Sequence, residues 1–221
     1  MRSRFFTEQL HSDLEQKVVA FINSNRDIMS SRTLNSPRAV GDAIQELLQG
    51  EFPNLLPQGM IKEYNPSFAR RSMADFAFLD MDGFYYVVDN KTHNLSTVFN
   101  MPNLTSVERL ARFYEDDNNY FTLLMVAYEV AEGQLKAAHC HFLPIEHLSW
   151  SCLTLGALGW GQIQIANSNR IDINREQLRR TWMLEMCDRL AEFYPKEIEK
   201  ITRRIAHFEK VKEYWERHEA I

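Results

Sequence analysis

The sequence predicts an α/β fold in which a central mixed β-sheet is flanked by helices. Three observations lead to this expectation. Residues 74–91 have the alternating, aromatic-rich pattern of a β-hairpin, residues 120–143 contain two more segments rich in β-forming residues, and segments with helical spacing lie on both sides of these strands. A length of 221 residues suits a single domain, 1–221, with a hydrophobic core of its own.

Two helices are predicted before the first strands. Apolar residues spaced three and four apart indicate an amphipathic helix over Thr7–Asn23, and the polar, serine-rich segment Asn25–Asn35 is typical of a loop. A second helix is predicted over Ser36–Gln49, because a serine is a favoured N-cap and a proline is favoured in the first turn. Gly50 is a favoured residue just beyond a helix end, so we expect this helix to stop there.

A hairpin is the clearest feature of the middle of the chain. Phe52–Tyr64, with two prolines and a glycine, is predicted as a loop leading into a short strand. After it, the segments Ala74–Asp80 and Phe84–Asp89 are both rich in residues that favour strands. Between them, Met81–Gly83 is a turn signal. These segments are therefore predicted to pair as antiparallel neighbours.

The rest of the chain alternates between the two kinds of element. Helical spacing returns over Leu104–Tyr114, and Tyr120–Val130 and Ala137–Leu143 are predicted as strands joined by a Glu-Gly turn. A short strand is expected over Gln162–Ala166. A long helical region follows over Asn174–Ile221, and a proline at position 195 is expected to break or kink it.

Composition excludes several classes of protein. Hydrophobic residues make up 45% and charged residues 25% of the chain, which excludes a disordered chain, a collagen and a chain-long coiled-coil rod. The longest apolar run, Phe121–Tyr128, is much shorter than the about 20 residues of a membrane helix, and no signal peptide is recognised. Three cysteines without a CxxC spacing favour a reducing compartment and argue against a zinc site. We therefore expect a cytoplasmic protein without a membrane partner.

The net charge of −5 comes from the middle third of the chain. Residues 72–150 carry eleven Asp and Glu against four Lys and Arg, whereas both flanking segments are nearly balanced. Such a cluster is commonly a solvated face, and it can also be a divalent-metal site that faces a phosphate. A negative total charge does not exclude DNA binding, because only the local field at the binding groove matters.

Strand alternation brings charged residues of the hairpin together. Asp89 and Lys91 are two residues apart on one strand, so their side chains project from the same face. A five-residue loop over 80–84 places Leu79 opposite Tyr85, and continuing that register places Asp75 opposite Asp89. A four-residue loop would shift the pairing by one residue.

Two opposed carboxylates destabilise a sheet unless something compensates them. A divalent cation bridging Asp75 and Asp89 would do so, and oxygen ligands suit Mg²⁺. Lys91 could then contact a phosphate oxygen or a water molecule, as metal-assisted phosphodiester hydrolysis requires. The alternative is a surface ion pair between Asp89 and Lys91, with Asp75 incidental.

These residues also form part of a known motif. Asp75, thirteen intervening residues and Asp89-Asn90-Lys91 have the form of the PD-(D/E)xK nuclease motif, with alanine in place of the usual proline before the first aspartate. Together with the following Thr92–Ser96 and Met101–Asn103, the sequence resembles the HincII/EcoRV-like branch of type II restriction endonucleases, well over residues 36–114 and more faintly over 156–210. The resemblance implies a PD-(D/E)xK restriction-endonuclease-like fold with a catalytic core at about 36–114 and a C-terminal helical region at about 174–221.

The resemblance also implies roles for individual residues. Asp75 and Asp89 would bind Mg²⁺, and Lys91 would orient the attacking water and contact the scissile phosphate. Asp42, or Glu46 one turn along the same helix, matches the family's upstream acidic residue, which reaches the metal site through water; an exposed helix carboxylate is the alternative.

DNA contacts are implied in the same way. Asn100 and Asn103 match positions that contact the groove or the bases, and an asparagine can pair bidentately with adenine; an ordinary turn beside a proline is the alternative. Further residues are placed for contacts to phosphates or in a second DNA-facing loop over 156–162, namely Thr92, Asn94, Ser96, Gly159 and Gln162.

The expected protein is thus a homodimeric, Mg²⁺-dependent type II restriction endonuclease that needs no organic cofactor. By the resemblance, it would cut both strands of a short, palindromic double-stranded DNA site and leave blunt ends with 5′-phosphates. Two alternatives remain open at this point. One is a structure-specific or repair nuclease of the same fold, and the other is a non-catalytic DNA-binding homodimer.

Overall fold

The structure, a computed structural model, describes residues 3–7, 9–25, 36–66, 73–131, 133–157 and 160–218. Most of the loop predicted over Asn25–Asn35 lies outside these residues. The chain divides into two compact units, Met1–Gln177 and Leu178–Ile221. Within the described ranges, no helix has the length and apolar character needed to cross a membrane.

The first unit contains a five-stranded mixed sheet. With strands numbered in chain order, its members are β1 (Ile61–Asn65), β2 (Phe76–Asp80), β3 (Tyr85–Asn94), β5 (Asn119–Ala131) and β6 (Gln134–Pro144). Their spatial order is β1-β2-β3-β5-β6. The pair β3–β5 is parallel and the other neighbours are antiparallel. The predicted α/β class with a mixed sheet flanked by helices is confirmed.

A parallel pair needs a crossover connection, and the chain between β3 and β5 supplies it. This connection contains β4 (Asn103–Ser106) and a short helix, α4 (Val107–Phe113). The strand β4 belongs to a second, antiparallel sheet with β7 (Leu153–Gly156) and β8 (Gln162–Ile165), in the order β4-β8-β7. The prediction of a helix over Leu104–Tyr114 was therefore wrong in its first turn, because Ser106 caps the helix through its side chain and the residues before it pair with β8.

In the described part of the chain before the sheet there are three helices, α1 (Arg4–Thr7), α2 (Leu10–Ser24) and α3 (Pro37–Leu55). Ser36 caps α3 as predicted, since its side chain accepts a hydrogen bond from the Ala39 N–H at 3.3 Å. The predicted stop at Gly50 was wrong. Buried residues continue at helical spacing through Val40, Ile44, Leu48 and Phe52, so packing extends the helix past the glycine.

The main core lies between these helices and one face of the five-stranded sheet. Phe52 packs there against Phe76 and Phe78, with ring centroids 4.7 and 5.6 Å away. From α2, Leu14, Val18 and Ile22 are also fully or almost fully buried in it. This packing fixes α3 over the end of the β2–β3 hairpin.

The second unit is built on one 38-residue helix, α5 (Arg179–Glu216). The helix continues through Pro195, so the break expected there is absent. The kink, the other expected outcome at this proline, stays a prediction.

Replacing Phe52 by alanine tests the extension of α3. The change removes a fully buried ring, so we expect the free energy of unfolding to fall by about 3–5 kcal/mol in urea denaturation. Glu51→Ala, at the exposed neighbouring position, is the control and should change it by less than about 0.5 kcal/mol. Equal effects of the two changes would contradict the extended, buried helix.

Candidate active site

The predicted register of the β2–β3 hairpin is confirmed. Phe76 lies opposite Val88 and Leu79 lies opposite Tyr85, so the loop has the five-residue length expected from the sequence. The turn is held by Asp80, whose Oδ1 accepts hydrogen bonds from the backbone N–H groups of Asp82 and Phe84 at 3.0 and 2.8 Å. Gly83 adopts a positive φ of 88°, a conformation that glycine reaches without strain.

Asp89 and Lys91 form a buried ion pair on one face of β3. The Lys91 Nζ donates to the Asp89 Oδ1 at 2.6 Å. The Asp89 side chain is 8% exposed and that of Lys91 is 23% exposed, so this pair is largely removed from water. It is therefore not the surface ion pair that the sequence left open as the alternative.

Asp75 lies just beyond the end of the ladder, beside the ion pair. Its backbone N–H donates to the carbonyl oxygen of Val88 at 2.9 Å, and its carboxylate Oδ2 accepts the backbone N–H of Asn90 at 2.7 Å. The first contact replaces the regular pairing with Asp89 that the register suggested. These two hydrogen bonds hold Asp75 against the segment of β3 between Val88 and Lys91.

Two glutamines of α3 hold Asp75 in place. The side-chain amide of Gln45 donates to its Oδ1 at 2.8 Å, and that of Gln49 donates to its backbone oxygen at 3.1 Å. The two glutamines are four residues apart, so they lie on the same face of the helix. Sequence reasoning missed both, although this spacing beside the acidic candidates was visible.

The electrostatic surroundings connect the three charged groups. Burial raises the pKa of Asp89 to about 7, the charge and hydrogen bond of Lys91 oppose this, and the charge of Asp75 adds to it. Burial also raises the pKa of Asp75, against the lowering effects of the Asn90 N–H, the Lys91 charge and Gln45. The pKa of each carboxyl thus responds to the charge of Lys91, and that of Asp89 also responds to Asp75, as expected for neighbours in one site.

A raised carboxyl pKa has a consequence for stability. The unfolded chain releases the Asp89 proton near pH 3.9, whereas the folded protein retains it to about pH 7. The stability that Asp89 contributes is therefore complete below pH 3.9 and is lost as the pH rises toward 7. A cation bound at the carboxylates would reverse this loss, because it favours their charged forms.

The site fits a hard divalent cation by the chemistry of its donors. The Asp89 Oδ2 is buried and has no hydrogen-bond partner among the described residues. An unpaired buried carboxylate oxygen is costly, and a cation is one of the few partners that could satisfy it. Within the described ranges, no group of three or more His, Cys, Asp or Glu is arranged to hold a metal. The protein would thus offer two carboxylates and leave positions for water and phosphate, as Mg²⁺ sites commonly do.

The two acidic residues predicted to assist the site lie beside the glutamines on α3. Asp42 is three residues before Gln45 and Glu46 is three residues before Gln49, so all four are on one side of the helix. Asp42 and Glu46 are exposed, and among the described residues neither is hydrogen-bonded to Asp75, Asp89 or Lys91. A contact with the metal site through water stays a prediction.

The second sheet presents a polar face. Asn103 on β4 pairs with Gln164 on β8, and the Gln164 side-chain amide donates to the Asn103 Oδ1 at 2.6 Å. Gln162, two residues before Gln164, projects to the same side by alternation, whereas Ile163 and Ile165 are fully buried. A Cβ atom on Gly156 would come within 2.6 Å of the Gln164 side chain, so this glycine makes room for the amide. Gln164 is a candidate that the sequence prediction omitted.

The other residues predicted to contact DNA make separate local contacts, where the structure describes them. The Oδ1 of Asn94 accepts from the N–H and the hydroxyl of Ser96 at 3.0 and 2.6 Å, which closes a turn after β3. The backbone oxygen of Asn100 accepts a hydrogen bond from the Ser168 N–H at 2.8 Å. Thr92 faces α3, since a Cβ on Gly41 would meet its Oγ1 at 2.9 Å. Gly159 lies outside the described residues.

A cavity of about 270 Å³ lies beside Lys91. His93, His139 and His141 are among the residues that line it, together with residues 168 and 169 after β8. Burial lowers the pKa of His141, so its ring favours the neutral form. The cavity gives the Lys91 side chain access to space on the face of the sheet where Asp89 lies.

No protein-family model matches this sequence, and no curated protein is significantly similar to it. The chemistry of the site therefore has to be inferred from its own residues.

Titration of Asp89 tests the electrostatics of this site. In metal-free protein, carbon-13 NMR of the side-chain carboxyl should give a pKa of about 7, and Asp89→Asn assigns the signal. Asp75→Asn should lower the Asp89 pKa, because it removes a nearby negative charge, and Lys91→Met should raise it, because it removes a positive one. A pKa below 5 in the unchanged protein would contradict the described burial.

Proposed function

We propose that this protein is a Mg²⁺-dependent, sequence-specific type II restriction endonuclease that cuts duplex DNA. The proposal is carried by one observation. Two carboxylates and one lysine from the β2–β3 hairpin are electrostatic neighbours, and one buried oxygen of Asp89 has no partner among the described residues.

A PD-(D/E)xK restriction-endonuclease-like fold is part of this proposal. Its support is the position of the motif in the sheet: Asp75 directly precedes β2, and Asp89 and Lys91 lie on β3, at the centre of a mixed sheet flanked by helices. The alanine at position 74 in place of the usual proline does not prevent Asp75 from reaching the backbone of Asn90.

Asp75, Asp89 and Lys91 would have separate roles in phosphodiester hydrolysis. A divalent cation held by Asp75 and Asp89 would neutralise phosphate charge and make a bound water more acidic. Lys91 would leave its ion pair with Asp89 to contact the phosphate or the attacking water, and would stabilise the negative charge of the transition state. Water adds to phosphorus as the bond to O3′ breaks, and O3′ takes up a proton, so the products are a 5′-phosphate and a 3′-hydroxyl.

Duplex DNA is proposed as the substrate because the second sheet offers amide groups that can read bases. Asn103 and Gln164 are adjacent, and asparagine and glutamine can each pair bidentately with adenine in the major groove. A homodimer would bring two such surfaces and two hydrolytic sites to a palindromic sequence, one for each strand. Blunt ends are the expected product if the resemblance to the HincII/EcoRV-like branch holds.

Replacing Lys91 by alanine tests the catalytic assignment. With Mg²⁺ and plasmid DNA, the unchanged protein should produce discrete fragments, and sequencing their ends gives the site and the type of end. Lys91→Ala should slow cleavage at least about 100-fold, because it removes the charge that stabilises the transition state. Binding of the same DNA in Ca²⁺, measured by fluorescence anisotropy, should persist.

Lys136→Ala is the matched control, since this lysine is exposed on β6 and should leave the cleavage rate unchanged. Cleavage that survives Lys91→Ala would overturn the catalytic role proposed for this lysine. Preference for branched DNA, or nicks without double-strand breaks, would instead indicate a structure-specific nuclease.

Replacing Gln164 by alanine tests the base-reading surface. If its side-chain amide contacts a base, the change should reduce transition-state stabilisation at the preferred site by about 1–3 kcal/mol and slow cleavage accordingly. Discrimination against the wrong base at one position of the site should also relax. Gln134→Ala, at an exposed position of β6, is the control and should leave both unchanged. Equal loss on all sequences would mean that Gln164 contacts the DNA backbone or supports the sheet.

A further inference from the structure

The helix α5 has an exposed apolar stripe with seven-residue periodicity. Writing the repeat as abcdefg, one set of positions, a, contains Leu184, Ala191, Ile198, Ile205 and Lys212. The second set, d, contains Cys187, Tyr194, Ile201, Phe208 and Trp215. Nine of these ten residues are apolar, and the spacing of three and four residues continues for more than four repeats, as in coiled coils.

These side chains are exposed to solvent although they are large and apolar. Ile198, Phe208 and Trp215 are 64%, 60% and 59% exposed. The last part of the stripe forms an apolar groove lined by Ile201, Ile205 and Phe208, with Arg204 and Glu209 at its sides. A continuous apolar stripe of this length on one helix favours association with another apolar surface.

We propose that α5 pairs with α5 of a second copy of this chain in an antiparallel, two-stranded coiled coil. In such a pair, each residue at an a position faces a residue at a d position of the partner helix. In one register of this pair, every residue of the stripe faces a stripe residue of the partner helix. Ile198 then faces Ile201 of the partner subunit, and Ala191 faces Phe208 of the partner subunit. The small alanine thus faces the large ring, which fills the space between the helices without overpacking.

Packing of the a and d residues, the position of Lys212 and one pair of opposite charges favour this orientation and register. Glu197 and Arg204 occupy g positions, which flank the apolar contact. In the antiparallel register they lie beside each other across the interface, and the two-fold axis repeats the pair. In a parallel pair, Lys212 would face Lys212 of the partner subunit inside the apolar contact, where like charges repel. In the antiparallel register, Lys212 faces Cys187 of the partner subunit instead.

One other pair of charges opposes this pairing, because Asp188 and Glu209 occupy e positions and would lie beside each other across the interface. Glu197 also pairs with Lys200 on its own helix at 2.5 Å, and Arg203 pairs with Glu199 at 3.5 Å on the outer face. Arg204 is exposed and can approach the partner's Glu197, whose side chain is 16% exposed and also binds Lys200. The inference goes beyond the proposed function, because it identifies which surface joins two copies and does not require DNA cleavage.

Charge reversal on α5 tests the inference. The dimer dissociation constant of the full chain should be measured by sedimentation equilibrium without DNA or metal, and circular dichroism should verify that each variant is folded. Arg204→Glu places like charges beside each other twice, so we expect the dissociation constant to rise about tenfold or more. The double variant E197R/R204E restores opposite charges and should return it to within about threefold of the original value.

The control is Arg203→Glu, the same charge change one residue away on the outer face, and we expect less than a twofold effect. A protein that is monomeric at every concentration measured would overturn the inference. So would an equal rise of the dissociation constant for Arg204→Glu and Arg203→Glu. If E197R fails to restore the R204E dimer, the antiparallel register is wrong, since only that register pairs these two positions.

The same measurements separate this inference from the proposed function. Lys91→Ala should dimerise like the unchanged protein. A protein that dimerises through α5 but leaves duplex DNA uncut with Mg²⁺ would overturn the nuclease proposal alone. A protein that cuts DNA while its dimer is insensitive to Arg204→Glu would overturn the α5 interface alone.

Discussion

The register between β2 and β3 is the constraint on which the site depends. Side chains of a strand alternate between its faces, so a shift of one residue would move the partners of Asp89 and Lys91 to the other side of the sheet. The turn prevents this shift through Asp80, which accepts two backbone N–H groups and the hydroxyl of Tyr86 at 2.7 Å. Asp80 is a structural carboxylate only a few residues from the functional candidates, and it shows that the acidic middle third has more than one role.

The site is held in an unfavourable electrostatic state by the packing around it. Asp89 is buried beside a second carboxylate, and Lys91 compensates only one of its oxygens. The stability of the helix layer and the hairpin offsets this cost, since the aromatic core between them does not involve the charged groups. A cation bound between the two carboxylates, as proposed, would remove the repulsion that folding has imposed.

The sequence predicted the parts of the molecule that follow local rules. The turn at Met81–Gly83 and strand alternation were sufficient for the hairpin register, and the Ser36 cap was sufficient for the start of α3. The end of α3 was missed because the burial of Phe52 is a tertiary effect that outweighs the local preference of Gly50. The same limit explains why Gln45 and Gln49 were missed: their role depends on where α3 lies over β2, and the acidic residues beside them were more conspicuous. Gln164 depends on the pairing of β4 with β8, two strands far apart in the chain.

The most direct test of the central claim is the position of a bound divalent cation. Crystals of the protein with duplex DNA should be soaked in Mn²⁺, which takes the oxygen ligands of Mg²⁺ and is visible by anomalous scattering. We expect an anomalous peak at about 2.1 Å from one carboxylate oxygen of Asp75 and from the Oδ2 of Asp89, with a DNA phosphate as a further ligand. A site empty of Mn²⁺, with the cation bound elsewhere on the protein, would contradict it.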